Sequence, residues 1–482
     1  MKFKFVLSMF TLCACLLLLF VSCGECEHDF GEWEIIKEPT CVDKGTKIAV
    51  CSSCSFTKSE AIEMTEHAKI TVEGTPSTCQ ETGLTDGIKC KDCDKIFTEQ
   101  KLMPKIGHRF VSDKCNMCGT DYYTESLVFA INNDSSSYTV SLGNCQDEKI
   151  VIPNSYEGLP VTHIDNTSFN NGNFKEIVIP NSILTIEIGT FKGCSALEKI
   201  TIPFVGKSAD STGKEALFGY IFGDTEYADS YEASQSFPSP YVNATYVEDY
   251  YIPSTLCEVT LNGKITFGAF SRCKSLSVIT VSASYTEIPN YSFRECTSLL
   301  SFSIPATVET IRGYAFTGCS SLANYTVDTE NKVYKSVDGH ILSKNGKTFV
   351  LYAGGKNASS FTLFDGVKEI GNYAFYMVEN LEEIRFPSSL EKIGYYSFSE
   401  CSSLKSLTVP SSVSYIDDYA FSSCNSLQSV FLPKELSFVG KGAFWKLSKG
   451  ATIYYSAEVE NANWDKQWNA SNYTVILGEA IE

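Results

Sequence analysis

Three of the five histidines in this 482-residue chain stand just ahead of cysteines. His28 precedes Cys41, Cys51 and Cys54; His67 precedes Cys79, Cys90 and Cys93; His108 precedes Cys115 and Cys118 alone. The unit His-x11/12-Cys-x9/10-Cys-x2-Cys thus occurs twice and then once in shortened form, at a period near 40 residues. Three thiolates and one imidazole, two of the thiols in Cys-x2-Cys, match a tetrahedral Cys3His zinc site. Taken in chain order, each complete set would hold one zinc ion, and the third would bind weakly or borrow a ligand. The ion would be structural, because modules this short barely enclose a core and nothing marks an open catalytic position. Disulfides are the competing reading, favoured outside a cell. They give the histidines no purpose, and three cysteines per module cannot all pair within it. Cys26 is left over from either scheme.

Cysteine also occurs where no such chemistry is in reach. Cys401 lies in "YYSFSECSSLKSLTVP", three residues after Phe398. The same offset from a Phe gives Cys194, Cys273, Cys296, Cys319 and Cys424, and in two places Val378 and Leu447. A position shared by Cys, Val and Leu is an apolar slot, in which free Cys acts as a small hydrophobe. Catalysis would require a neighbouring base and an electropositive setting. Disulfides between successive slots cannot accommodate Cys273, Cys296 and Cys319, which are three in a row.

The elements that hold this slot repeat. Phe270, Phe293 and Phe316 are 23 residues apart, as are Phe375, Phe398, Phe421 and Phe444; Phe169 and Phe191 are 22 apart. Six residues after most of them comes Leu, then two alternating apolar positions and often Pro, as in "LKSLTVP" and "LEEIRFP". The alternation predicts a short strand with one face buried, closed by Pro. A coil of 23 residues cannot enclose a core alone, so successive coils must stack with their strands parallel. The expected fold is mainly β: a solenoid of about 23-residue coils over residues 125–478, preceded by small Cys/His-rich modules over 23–120.

The segments "IRGYAFTGCSSLANYTV", "IGYYSFSECSSLKSLTVP" and "IDDYAFSSCNSLQSVFLP" resemble the BspA-type leucine-rich repeats, the class that includes the treponemal repeats. That resemblance implies a bacterial surface protein with a binding role. The cysteine-rich leader is similar to tandem modules that precede surface domains in other bacterial proteins. At the start, Lys2 and Lys4 precede the apolar run Phe5 to Val21, followed by "FVSCGEC". This reads as a secretory signal over residues 1–22 and resembles a lipobox, with Ser22 before a lipidated Cys23. Phe20 departs from the usual Leu, and plain cleavage or a retained anchor are the alternatives. The expectation is an exported chain, lipid-anchored at a cell surface or outer membrane.

The solenoid is interrupted twice. Residues 204–255 are rich in Tyr, Phe and acidic groups, and read either as a binding loop or as an insertion folded back on the stack. Between Val327 and Val367, Asp338-Gly339 and Asn345-Gly346 predict hairpins, and His340 reads as structural. His163 has no obvious partners. "ESLVFAINNDSSSYTVSLGNC" reads as the first cap, and Trp464 and Trp468 as a lid on the last coil. Tyr291, Tyr314, Tyr373, Tyr396 and Tyr419 each lie two residues before a Phe and should form a ladder, either packing on itself or offering a contact stripe to a ligand.

The chain carries 57 acidic against 39 basic residues, a net charge of −18. With no Lys/Arg cluster, no nucleic-acid partner is expected. P-loop, G-x-G-x-x-G, G-x-S-x-G and H-E-x-x-H motifs are absent, so no enzyme is expected. The sequence favours a surface-anchored, adhesin-like interaction protein that binds a protein or glycan through the repeat solenoid. A structural spacer or envelope-complex component is the alternative.

Overall fold

The computed structural model describes residues 27–111, 114–119, 121–239, 244–282, 284–459 and 461–478. The signal, Cys23 and Cys26 lie outside the described residues. The chain divides into two compact units, Met1–Asp121 and Tyr122–Glu482.

In the first unit the strands Glu34–Lys37, Gly45–Val50 and Thr57–Ile62 form an antiparallel sheet. Lys69–Val72, Gly87–Cys90 and Ile96–Thr98 repeat it one module later. Each Cys-x2-Cys closes a tight knuckle at the end of the middle strand. Cys51 N donates to Phe56 O (2.8 Å) and Cys90 N to Lys95 O (2.8 Å). The residue after the second Cys is left-handed in all three knuckles: Ser55, Asp94 and Gly119, at φ 59°, 57° and 74°. Almost no apolar side chain is buried here. Apart from Ala49, the buried members of the core are Cys41, Cys51, Cys79, Cys90 and Cys115, while Trp33, Ile35, Ile36, Phe56, Ile96 and Leu102 are exposed.

The second unit is the solenoid. Its leading strands pair in parallel from coil to coil: Lys149–Val151, Glu176–Val178, Lys199–Ile202, Glu258–Leu261 and Val278–Val281 in one sheet, and Ser406–Thr408, Ser429–Leu432, Thr452–Tyr455 and Thr474–Leu477 in another. A two-residue strand on the return side of the coil pairs likewise, as Glu369–Ile370, Lys392–Ile393, Tyr415–Ile416 and Phe438–Val439 do. The Phe turn links one coil to the next. Like residues therefore lie over like. Phe375 and Phe398 stack with ring centroids 4.6 Å apart, Phe398 and Phe421 at 5.1 Å, and Phe421 and Phe444 at 5.6 Å. All four rings are fully buried.

Of the two readings of residues 204–255, the structure has the insertion folded back. Leu217, Phe218, Ile221, Phe222, Ala233, Tyr250 and Ile252 join the core, and Phe218 tilts against Phe270 at 5.0 Å. A hairpin, Ser230–Pro238 with Thr245–Pro253, carries Gln235 inward. Its amide donates to Ala269 O (3.2 Å) and Ser271 O (3.1 Å) and accepts from Gly219 N (2.7 Å). In the second interruption the two predicted hairpins form from Tyr334–Val337, His340–Ser343 and Thr348–Leu351. His340 is buried, stacks on Tyr352 at 4.7 Å, and accepts from Ala353 N at Nδ1 (3.0 Å). Val128–Ile131 and Tyr138–Ser141 form the first cap. At the other end Trp464 donates to Leu436 O (3.2 Å), and Trp468 meets Phe444 edge-on.

Candidate metal centres and the tyrosine ladder

The eleven leader His and Cys residues gather into three clusters, but not in the order of the chain. Cys41 joins His67, Cys90 and Cys93; Cys79 joins His108, Cys115 and Cys118; His28 is left with Cys51 and Cys54. The expectation that His28 shares a site with Cys41, and His67 with Cys79, is thus corrected. The reason lies in the loops. Thr40 and Thr78 fold "PTCVD" and "STCQE" by accepting at Oγ1 from Asp43 N and Glu81 N (2.9 Å each). The carbonyls of the same threonines then accept from Thr65 N (3.1 Å) and Ile106 N (3.0 Å), two residues before His67 and His108. Each first cysteine is therefore tied to the segment that delivers the next histidine.

The geometry fits zinc. Tetrahedral bonds of ~2.3 Å to sulfur and ~2.0 Å to nitrogen place ligand atoms ~3.5–3.8 Å apart. Here Cys41 Sγ lies 3.8 Å from Cys90 Sγ, and Cys79 Sγ 3.9 Å from Cys115 Sγ. The Cys93–His67, Cys54–His28 and Cys118–His108 Sγ–Nδ1 distances are 3.3, 3.3 and 3.5 Å. The knuckle N–H groups aim at the first sulfur, as Asp92 N does at Cys90 Sγ (3.4 Å). Hydrogen bonding with His28, aided by the N–H groups of Ser53 and Cys54, brings the Cys51 thiol down to about 6. Burial raises Cys90 and Cys115, yet backbone N–H groups and the facing histidines hold them at about 6 and about 5. Burial, then hydrogen bonds with neighbouring thiols, pushes Cys41 up to about 12 and Cys79 to about 11. Each four-residue cluster thus pairs one thiol poised to ionise, Cys90 or Cys115, with one whose proton burial holds, Cys41 or Cys79.

The solenoid cysteines do something else. Cys401 is wholly buried and its thiol donates to Phe375 O (3.2 Å). Cys194, Cys296, Cys319 and Cys424 donate to the Phe carbonyl of the preceding coil at 3.0–3.2 Å. The slot is thus more than an apolar hole: it satisfies a backbone acceptor. Burial raises these thiols, Cys424 to about 12. The described cysteines carry no disulfide.

The tyrosine ladder is present and half-buried. Tyr291 and Tyr314 stack at 5.0 Å, Tyr373 and Tyr396 at 5.7 Å, Tyr396 and Tyr419 at 4.9 Å, and Tyr314 reaches across the second interruption to Tyr373 at 4.3 Å. Tyr291, Tyr373, Tyr396 and Tyr419 have φ of 62°, 60°, 50° and 55°, a region that costs most side chains about 1 kcal/mol or more. Nothing in the sequence marked this, although Gly189, Gly268 and Gly442 occupy the same turn position with φ of 69°, 65° and 59°. His163 has partners after all: Thr162 Oγ1 lies 2.7 Å and Asn132 Nδ2 3.3 Å from its Nδ1. Both strand rows carry coil-to-coil pairs, such as Lys199–Glu258 (2.8 Å) on the leading strands and Lys392–Glu369 (3.0 Å) on the return side, exposed enough to add little stability.

A family model described as "BspA type Leucine rich repeat region" matches residues 138–221, 243–338 and 350–466 in six copies. Among solved structures, the pneumococcal vaccine antigen PcpA is similar at 18% identity, covering 74% of this chain and 98% of its own, with a TM-score of 0.40. A leucine-rich cell surface protein from Faecalibacterium prausnitzii is similar at 21% identity, with 75% and 98% covered and a TM-score of 0.38. The T. pallidum leucine-rich repeat protein is 18% identical, with 58% and 88% covered and a TM-score of 0.24. A search of curated proteins finds no match.

Proposed function

The chain belongs to the BspA-type leucine-rich repeat family, and from that premise we propose that it is a surface interaction protein, lipid-anchored through Cys23, that binds a protein or glycan ligand with its solenoid. The observation that supports a ligand surface most directly is the tyrosine ladder. Five partly buried tyrosines in ring contact form a row along the coils. Tyr offers large contact area at low entropic cost, and stacked repeats make extended binding faces. The leader acts in this reading as a zinc-stapled stalk, with metal in a structural role only. No helix among the described residues is long and apolar enough to cross a membrane.

The test is a pull-down from host serum and extracellular matrix run beside one from bacterial envelope extract, using wild type and a Tyr314→Ser/Tyr396→Ser variant. Capture from the host fraction that weakens in the variant supports the reading. Capture from the envelope fraction alone would favour a structural component of the envelope. Labelled palmitate should enter the wild type and not Cys23→Ser.

A further inference from the structure

Adjacent Phe turns are laced by two backbone bonds. The Phe N–H donates to the carbonyl one residue before the next Phe, and the N–H two residues on donates to the carbonyl one residue after it. Phe293 and Glu295 reach Ala315 O and Thr317 O at 2.9 and 2.7 Å. Phe375 and Met377 reach Ser397 O and Ser399 O at 2.7 and 3.0 Å, and Phe398 and Glu400 reach Ala420 O and Ser422 O at 2.8 Å each. From Phe270 to Phe444 the lacing fails in one place. Among the described residues, Phe316 N and Gly318 N make no such bond; Tyr352 N still donates to Ala374 O (2.9 Å), but Gly354 N makes none and Tyr376 O accepts none.

The intervening coil explains this. It places Tyr352 in the Phe slot and Gly355 in the Cys slot, so the Cys side chain is missing and the backbone closes in on the glycine instead. Gly355 N donates to Leu322 O (2.9 Å), and a Cβ on Gly355 would collide with the Ser321 carbonyl. The turns at 316–320 and 373–380 then face each other across a cleft of about 330 Å³, walled by Phe316, Tyr325, Tyr352, Tyr373, Tyr376 and Val378. Val378 is partly exposed in it, whereas Cys296, Cys401 and Cys424 at the equivalent position are wholly buried. Glu295 borders the cleft already paired with Arg272 (3.0 Å) and Arg294 (2.9 Å).

We propose that this cleft binds a short extended polypeptide segment of a partner protein. Two of the partner's backbone carbonyls, two residues apart, would accept from Phe316 N–H and Gly318 N–H, and a small or aromatic side chain between them would enter the slot against Phe316 and Val378. The molecule itself shows what fits: in the turns at Phe270, Phe293, Phe375, Phe398 and Phe421 the same two donors are met by backbone carbonyls at that spacing. Adding a strand to unpaired donors in this way is a recurrent mode of peptide recognition. The volume lies at the small end of ligand pockets, enough for a few residues and not for a domain. Glu379, exposed at the border, opposes an acidic segment and favours a neutral or basic one. The inference rests on the reading of the solenoid as an interaction surface and gives that surface a partner class and a place.

The test uses the full chain and a displayed random nonapeptide library, followed by calorimetry with the selected peptide. In Gly354→Leu the new side chain should fill the cleft without strain, since a Cβ there meets only Cys319 O at 3.6 Å. Affinity should fall at least tenfold while the melting temperature holds. In the wild-type complex, amide exchange at Phe316 and Gly318 should slow at least tenfold, with Phe293 and Glu295 unchanged. The exchange arm decides alone if the variant is unstable. The proposal is overturned if no peptide is selected, if the peptide binds Gly354→Leu equally well, or if the two amides do not respond. A glycan that binds wild type and is lost in Gly354→Leu would also overturn it. Host-ligand capture that survives Gly354→Leu would sink the cleft while leaving the interaction surface standing.

Discussion

Among the described residues of the leader, the side chains withdrawn from solvent into a core are five cysteines and Ala49, while from Tyr122 onward Phe, Leu, Ile and Val are sealed between coils in two large clusters that divide at the second interruption. Cysteine serves both units in opposite ways. In the leader it faces His and other thiols at distances set for a shared ion. In the repeat slot of the solenoid it is buried and donates to a backbone carbonyl. What separates the two is the supply of apolar side chains: a module of about 40 residues with exposed Ile and Phe cannot offset its own chain entropy by burial, and a stacked coil can.

The comparison breaks most visibly under chelation. A strong zinc chelator should abolish amide protection across residues 27–119 and leave the solenoid strands protected, as hydrogen exchange on the intact chain would show. Afterwards a thiol reagent should label the leader cysteines quickly and Cys401 not at all. If the leader stays protected without metal, its stability has another source. The same protein sharpens the assignment of ligands. Cys41→Ser and His67→Ala should each lower the zinc content by one, and the double variant also by one, because both residues serve one centre. A loss of two in the double variant would restore the chain-order grouping.

Next in size is charge burial in the Cys slot. Cys401→Asp should destabilise the solenoid by roughly 3–5 kcal/mol, the cost of an unpaired buried charge. Cys401→Val should cost about 1 kcal/mol, chiefly the bond to Phe375 O. Denaturant midpoints read both. A reversal of that order would mean the slot is wetter than its burial indicates.

His340 provides a pH-dependent test of the solenoid. Burial, with Lys356 nearby, lowers it from 6.5 to about 4. The unfolded chain then binds the proton more readily, so the contribution of neutral His340 is full above pH ~6.5 and is lost as pH falls towards ~4. The span corresponds to up to about 3 kcal/mol. His340→Phe should flatten the stability profile between those limits, and an unchanged slope would remove His340 as the cause.

The smallest effect tests the ladder. Tyr396→Ala removes two stacked neighbours, worth about 1–2 kcal/mol. Tyr396→Gly loses the same contacts but relieves a φ of 50°, and should be the more stable of the two by about 1 kcal/mol.

Much of the solenoid was legible because its period is enforced by contact between like residues: Phe over Phe, strand over strand, and Trp464 and Trp468 as the lid. The thiol-to-carbonyl bond was not, since Val378 and Leu447 in the same slot made it read as apolar alone. The left-handed tyrosines were hidden because Tyr is an improbable residue there, and only the aligned Gly189, Gly268 and Gly442 hint at it. In the leader the ligand types were legible and their grouping was not. Sequence order suggests closed sets, and the bond from Thr65 N to Thr40 O, which decides the matter, leaves no mark in residue type.

That forward displacement gives the leader a grammar of concatenation. Each module lends one thiol to its successor, as Cys41 and Cys79 do, and completes its own site with a thiol lent from behind. The third module is short because nothing follows it to be lent to, so His108, Cys115 and Cys118 are a terminus and need no repair. Among the described residues His28, Cys51 and Cys54 gather as a set of three. An array built this way can gain or lose an internal link without redesigning any site, so the length of the leader is free to change by whole modules.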